Sequence, residues 1–402
     1  MFKNDSLIMQ SKDKNILFVM VGSLIATIGR GITLPFLPLY LYNNFHIDIL
    51  KTGQTLTLAM CIGMFLSIPA GKLADKYNHK KLLFFSLVIF SISFLLIGNS
   101  SSILVFIIGF SFVHCSYAVY SIIIKCFISN NFSDKNKTKY FLLNYTFVNI
   151  GWIVGPLLGI FLAKISMALT FYISSLSGFI SLLLIVKLSF VNNNIGEQEK
   201  SHRENISTIK LKPDNLLIIF TIGTLLGSFV FGKFVSCISQ ILITEFDSFT
   251  TQNIISLLIS TNAATVILFQ YITGVYISKR KQIVGFMIGA IFLVLGLLFF
   301  SFAKDNLYVW FLGIIIFSFG EIIFMPLQYR VIDMIAPPNN KAKYFTIQNL
   351  GDVGGALNPL ITGYILSLYS GAVVYSILML ASFLSLLCFI FGISSFNRKK
   401  NV

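Results

Sequence analysis

Apolar residues gather into long runs separated by short polar breaks, and each run offers the roughly 20 residues that a helix needs to cross a bilayer. Six runs fall at 15–42, 50–74, 80–99, 102–128, 139–163 and 167–190. Six more fall at 214–241, 250–278, 282–303, 305–330, 341–369 and 371–395. The stretch 191–213 between the sets is charged, rich in Asn and without an apolar run, so it reads as a flexible linker. The pattern predicts an all-α polytopic membrane protein. A six-helix bundle at 1–190 is joined by the linker at 191–213 to a second six-helix bundle at 214–402, which ends in a short basic tail.

The two sets repeat one another. Asn136-Lys137-Thr138-Lys139-Tyr140-Phe141 recurs as Asn340-Lys341-Ala342-Lys343-Tyr344-Phe345. Each copy opens a run with Gly and Pro at matching depth: Gly151, Pro156 and Gly159 against Gly355, Pro359 and Gly363. An offset of half the chain predicts two homologous halves. Parallel halves related about the membrane normal imply a transporter with its binding site between them.

Composition agrees, since 56% of residues are hydrophobic and 11% charged, against about 25% charged in soluble domains. The net charge of +15 invites a nucleic-acid reading until its distribution is followed. With the amino terminus inside, the inner segments hold 23 Lys and Arg, including Lys72, Lys76, Lys80, Lys81, Lys279, Arg280, Lys281 and Arg398. The outer loops hold only Lys51, Lys164 and Lys304. This asymmetry predicts a cell-membrane protein with both termini cytoplasmic and no nucleic-acid partner. The partners expected are the lipid bilayer and a small-molecule substrate, met as a monomer. No cleavable signal peptide is expected, because Lys12-Asp13-Lys14 precedes a run far longer than a signal core. Cys61, Cys115, Cys126, Cys237 and Cys388 all fall inside runs without a CxxC pair, so they read as packing residues, with no disulfide framework and no metal site.

Gly71-Lys72-Leu73-Ala74-Asp75-Lys76-Tyr77-Asn78-His79-Lys80-Lys81, between runs two and three, resembles the G-x-L-x-D-R-x-G-R-K loop of the major facilitator superfamily. Gly71 suits close helix approach, Asp75 suits the positive end of a neighbouring helix, and the lysines suit anionic lipid. Lys76 stands for the usual Arg, and Asn78 for the Gly, where Asn tolerates a left-handed turn. Gly151-Trp152-Ile153-Val154-Gly155-Pro156-Leu157-Leu158-Gly159 resembles the span-five motif of that family's exporters. There Gly151, Gly155 and Gly159 permit tight crossing and Pro156 bends the helix. Thr27 to Gly31, Asn144 to Thr146, Ser236 to Gln240 and Gly320 to Ile323 also resemble the drug- and dipeptide-exporting branch. The resemblance implies twelve helices, two pseudo-symmetric bundles and a cavity lined by spans one, four, seven and ten. The family's Arg early in span four is absent here.

Ionisable groups at membrane depth are expensive and face partners or watery cavities. Arg30, His114, Lys233 and Glu321 each fall on one of the four expected cavity helices. Helical spacing extends them into polar stripes: Ser23, Thr27 and Arg30; His114, Tyr117 and Ser121; Lys233, Ser236 and Gln240; Ser318, Glu321 and Gln328. Tyr117, Asn149, Trp152 and Gln240 are expected to shape the cargo pocket. A static Arg30–Glu321 ion pair between the halves is the competing reading, while His114 reads equally as a packed histidine and Lys233 as a snorkelling one. Asp333 and Asp352 are assigned to the inner gate with Gly71, Asp75, Lys76 and Lys80. Lys125, where the family carries an acid, is expected to pair with Asp75.

Glu321 is the only acidic residue near the centre of any span and is the expected proton carrier, since desolvation there favours its neutral form. The expectation is a secondary transporter without cofactors, drawing on the proton gradient to export small amphipathic, zwitterionic or anionic molecules. A proton symporter importing a sugar or carboxylate is the alternative. An enzyme or sensor is disfavoured, because no HExxH pair, nucleophile elbow or phosphate loop occurs.

Overall fold

The computed structural model describes the chain except residues 1, 70–72, 74–76, 132–133, 188–214, 233, 279, 337–343, 345–346, 349 and 401–402. Side chains are not described for 2–14, 126, 129–131, 134–139, 141–142, 278 and 399–400 either. The linker at 191–213, the gate residues Gly71, Asp75 and Lys76, the cavity candidate Lys233 and most of the repeated Asn-Lys segments therefore lie outside the described residues.

The described residues are almost wholly helical. The first half comprises α1 (Phe2–Thr33), α2 (Leu37–Phe45), α3 (Ile49–Ser67), α4 (His79–Gly98), α5 (Ile103–Asn131), α6 (Asp134–Ile165) and α7 (Met167–Val186). The second comprises α8 (Asn215–Phe231), α9 (Phe234–Glu245), α10 (Ser248–Ser278), α11 (Gln282–Ala303), α12 (Leu307–Ile335), α13 (Val353–Leu368) and α14 (Gly371–Lys400). Ten of the described spans are long and apolar enough to cross a membrane, and the pair α8–α9, bent by 42°, makes an eleventh. The twelfth expected span is α13, whose 16 residues follow a 3-10 turn at Leu350–Asp352. The two together rise about 30 Å. α13 packs against Leu225, in α8, through Gly354 and against Ile49, at the start of α3, through Gly363.

Local chemistry sets the breaks. Span one interrupts at a 3-10 turn, Leu34–Phe36, where Pro35 supplies no amide proton, and resumes as α2 with Pro38 in its first turn. Asp48 caps α3 by accepting from the Lys51 amide at 2.7 Å, and Asn306 caps α12. Asp247 caps α10 through the Phe249 and Thr250 amides. Bonds from Thr250, side chain first, hold this exposed carboxyl below its ordinary range. Asn78 departs from the left-handed turn expected of it: its backbone is extended, and its Oδ1 accepts from the Lys80 amide to cap α4.

The repeat in the sequence becomes a repeat in packing. α6 crosses α1 where Gly155 meets Gly31 and Gly151 meets Thr27, and α13 crosses α8 where Gly354 and Gly355 meet Leu225 and Ser228. A Cβ on Gly155 would stand 2.6 Å from the Gly31 Cα. Pro156 sits within a continuous α6, its ring against Gly31, and Gly159 packs on Ile32 and Phe36. We expect Gly155→Ala to lower stability by about 1–3 kcal/mol through overpacking. Gly274→Ala, in a helix with open space around it, should be neutral or stabilise by up to about 1 kcal/mol. Thermal unfolding of the two variants in detergent checks this, and equal effects would contradict the crossing.

The halves meet through α3 against α13 and α6 against α10. In the first contact Gly53 abuts the Pro359 carbonyl and Gly363 abuts that of Ile49, while the Leu360 amide donates to Thr57 Oγ1 at 3.1 Å. Ser260 Oγ donates to the Ile153 carbonyl at 2.9 Å in the second. Ser239 Oγ donates to the Pro35 carbonyl at 2.8 Å, a bond between positions 204 apart that repeats the sequence offset. Asn43 with Ser248, and the Lys164 ammonium 5.1 Å from the Phe249 ring, join the far ends.

Candidate functional site

A cavity of about 340 Å³ lies between the halves, walled by α1, α2, α3, α5 and α6 on one side and by α8, α9, α10 and α12 on the other. Lining residues toward the far face, Leu37, Phe234, Ile238 and Phe317, are buried. Tyr145 and Met325, toward the face from which α1 and α6 start, are 42% and 38% exposed. The cavity is therefore closed beneath the far-face contacts and open toward the face of the chain ends.

Arg30 stands in one wall. Its guanidinium carbon lies 3.6 Å from the centre of the Tyr117 ring and 5.6 Å from that of Trp152, distances at which the cation is attracted to the ring faces. Thr27 Oγ1 donates to the Ser23 carbonyl at 2.7 Å, so the Tyr117 hydroxyl, 3.0 Å away, donates to Thr27. The stripe Ser23, Thr27, Arg30 thus builds a support in which Tyr117 is held flat under the cation. Arg30 Nε is buried without a hydrogen-bond partner.

Glu321 stands in the opposite wall. Its Oε2 accepts from Asn262 Nδ2 at 3.0 Å, and the same nitrogen donates to Ser318 Oγ at 2.9 Å. Arg30 and Glu321 form no ion pair, which sets aside the static inter-half bridge. Each side chain is held by its own half and presented to the same space. His114 lines the cavity edge-on to Phe110, ring centres 4.6 Å apart. Asn149 and Trp152 line it too, and Asn149 Nδ2 donates to the Tyr145 carbonyl at 2.9 Å.

Four expected pocket residues stand elsewhere. Thr27 and Tyr117 lie behind Arg30 as its support and do not line the cavity. Gln240 is fully buried beside Gly53 and Gly363, with both amide atoms unpaired, because α9 turns that position into the α3–α13 seam and leaves Ser236 facing the cavity. Gln328 is buried against Gly227 of α8. Among the expected gate residues, Lys80 reaches the carbonyl of Val186 at 2.9 Å, at the carboxyl end of α7, where a cation offsets the helix dipole. It fastens two helices of one half. Lys125 and Asp333 are exposed on α5 and α12. Asp352 is exposed at the start of α13 without a capping hydrogen bond from its side chain.

Asn262 was missed, although a lone Asn at mid-depth in run eight was a visible signal. Tyr145 and the aromatic wall of Phe110, Phe231, Phe234 and Phe317 were also missed. In a chain with 41 Phe, no single one stands out.

Membrane transporters are also what the chain is similar to. The chain is 33% identical over 353 residues to an uncharacterized MFS-type transporter of Escherichia coli, YdeE, covering 87% of this chain and 88% of that one. It is 29% identical over 180 residues to the class H tetracycline resistance protein of Pasteurella multocida, covering 44% of each. The crystal structure of the nucleoside transporter NupG shares the fold, with a TM-score of 0.74 over 95% of this chain and 99% of that one at 15% identity. The profile of the Major Facilitator Superfamily matches residues 19–352 and 247–402, so the packing, the repeat and the sequence agree that the chain belongs to that superfamily of membrane transporters.

Proposed function

We propose that this transporter exports small amphipathic molecules bearing a carboxylate, anionic or zwitterionic, in exchange for protons. Drugs, dipeptides and amino-acid derivatives are the cargo chemistry that fits. The observation that carries the reading is the opposition of Arg30 and Glu321 across one cavity, each supported by its own half and unpaired with the other. A guanidinium offers two parallel hydrogen bonds to a carboxylate, and a deprotonated Glu321 offers a partner to an ammonium group. The rings of Phe110, Trp152, Phe234 and Phe317 accept the apolar body.

The cycle follows from charge. With the termini in the cytoplasm, the cavity is open to the cytoplasm in this conformation, and cargo enters while Glu321 is ionised. On the outer side a proton neutralises Glu321, discharges the ammonium contact and releases the cargo; the halves then rock back and the proton leaves inward. Half-length similarity to the tetracycline resistance protein supports the outward direction.

Proteoliposomes of known orientation, given a pH gradient and an aromatic dipeptide, test this reading. Cargo should move against the proton flux, and a protonophore should abolish the movement. Movement along with the protons would replace export by symport, and flux indifferent to the gradient would remove the coupling.

A further inference from the structure

Asn262 makes the only hydrogen bond to Glu321 seen among the described residues, and two residues away its helix touches the other half. Its Nδ2 carries two protons, and both are used: one on Ser318 Oγ at 2.9 Å, the other on Glu321 Oε2 at 3.0 Å. Ser318 cannot donate back, because its own proton goes to the Ile314 carbonyl at 2.6 Å. The amide is thus locked in orientation, with one donor left for the carboxylate. On the same helix, Ser260 Oγ is bonded to the Ile153 carbonyl of α6 across the boundary between the halves. α10 therefore grips Glu321 with one face and the opposite half with another.

Resting on the proton-carrier role of Glu321 proposed above, we infer that Asn262 is a positioning residue that couples the protonation of Glu321 to the α10–α6 contact between the halves. A carboxylate holds the amide proton more strongly than a neutral acid does. Proton loading slackens the Asn262 bond and frees α10 to shift against α6, and proton release draws it back. The other titratable or charged groups around this space include Arg30 from α1, His114 from α5, Tyr145 from α6 and, next to Tyr145, Tyr329 of α12. Lys233, beside the cavity residue Gly232, lies outside the described residues. α11, packed behind α12, brings Gly289 and Leu293 against Gly320, and α8 brings Phe231 to Phe324.

The sign is fixed by the bond. Donation from Asn262 favours the ionised carboxylate, so without it Glu321 keeps its proton to higher pH. The test follows the protonated-carboxyl stretch in infrared difference spectra of the detergent-solubilised full chain across a pH titration, assigned through its loss in Glu321→Gln. Asn262→Ala should move the midpoint up by about one pH unit, the order expected for one lost hydrogen bond to a charged group. Ser260→Ala should leave that midpoint in place. In proteoliposomes both variants should lower kcat several-fold with cargo KM near wild type. If Asn262→Ala does not fold, Asn262→Ser, too short to reach both partners, carries the same expectation. An unchanged midpoint in a folded variant, or a Ser260→Ala with wild-type kcat, overturns the coupling inference. A wild-type Glu321 that does not titrate at all overturns the proton-carrier reading instead.

Discussion

Replacing Glu321 by Gln is expected to reduce gradient-driven export to the level of empty liposomes. The variant keeps the size of the side chain and an oxygen that accepts from Asn262, so folding should survive, as a thermal melt would show. It can no longer exchange a proton, which removes the only acidic group on the cavity wall among the described residues. Equilibrium binding separates coupling from recognition. A monoanionic cargo held by Arg30 should bind within about tenfold of wild type, the order of one altered hydrogen bond. A zwitterionic cargo should lose more, because its ammonium group loses its counter-charge. Full antiport by the Gln variant would end the proposal, whatever its affinity for cargo.

The second large effect is expected at Arg30. Arg30→Lys keeps a positive charge but loses the planar fork and much of the stacking on Tyr117, which lies 3.6 Å beneath the guanidinium carbon. Carboxylate cargoes should weaken by about 10- to 100-fold, the order of hydrogen bonds to a charged group. Uncharged cargoes of similar shape should survive nearly intact. Competition against one labelled cargo, with acids and their amides compared in pairs, reads the difference directly. If Arg30→Ala left carboxylate export unchanged, or if quaternary ammonium dyes proved the best substrates, Arg30 would be a structural cation and the walls alone would select cargo.

Much of the architecture was open to reading because it depends on one-dimensional quantities. The length of an apolar run measured against a bilayer marks a span without reference to any other residue, and ten of the twelve runs reappear as helices that meet that requirement, with α8–α9 as an eleventh once its bend is allowed. The twelfth run, 341–369, is represented among the described residues by the 16-residue α13 behind the 3-10 turn Leu350–Asp352, too short to meet that requirement by itself. The matched glycines were legible for the same reason: a small residue at a repeated offset marks a close crossing whichever helix supplies the partner.

Arg30, His114 and Glu321, singled out because an ionisable group at mid-depth is costly unless something receives it, line the cavity, and Asn149 and Trp152, expected to shape the pocket, line it too. Extending those positions by helical spacing succeeded only where the helix kept its face. Ser236 and Gln240 are four residues apart and share a face by periodicity. Yet one meets the cavity and the other is sealed between α3 and α13, because α9 follows a 42° bend that no spacing rule contains. Gln328 lies two turns from Glu321, far enough for the neighbouring α8 to cover it. Tyr117 shared the face of His114 but became the floor under Arg30.

The apolar runs and the internal repeat by themselves pointed to a two-fold helical membrane protein, and the motifs at 71–81 and 151–159 to its transporter superfamily, since those signals need no knowledge of neighbours. Only the tertiary structure decided that Arg30 stacks on Tyr117 without pairing with Glu321, and that Asn262 holds the carboxylate. Those outcomes depend on which helices lie side by side and at what angle, and on which donor arrives within 3 Å.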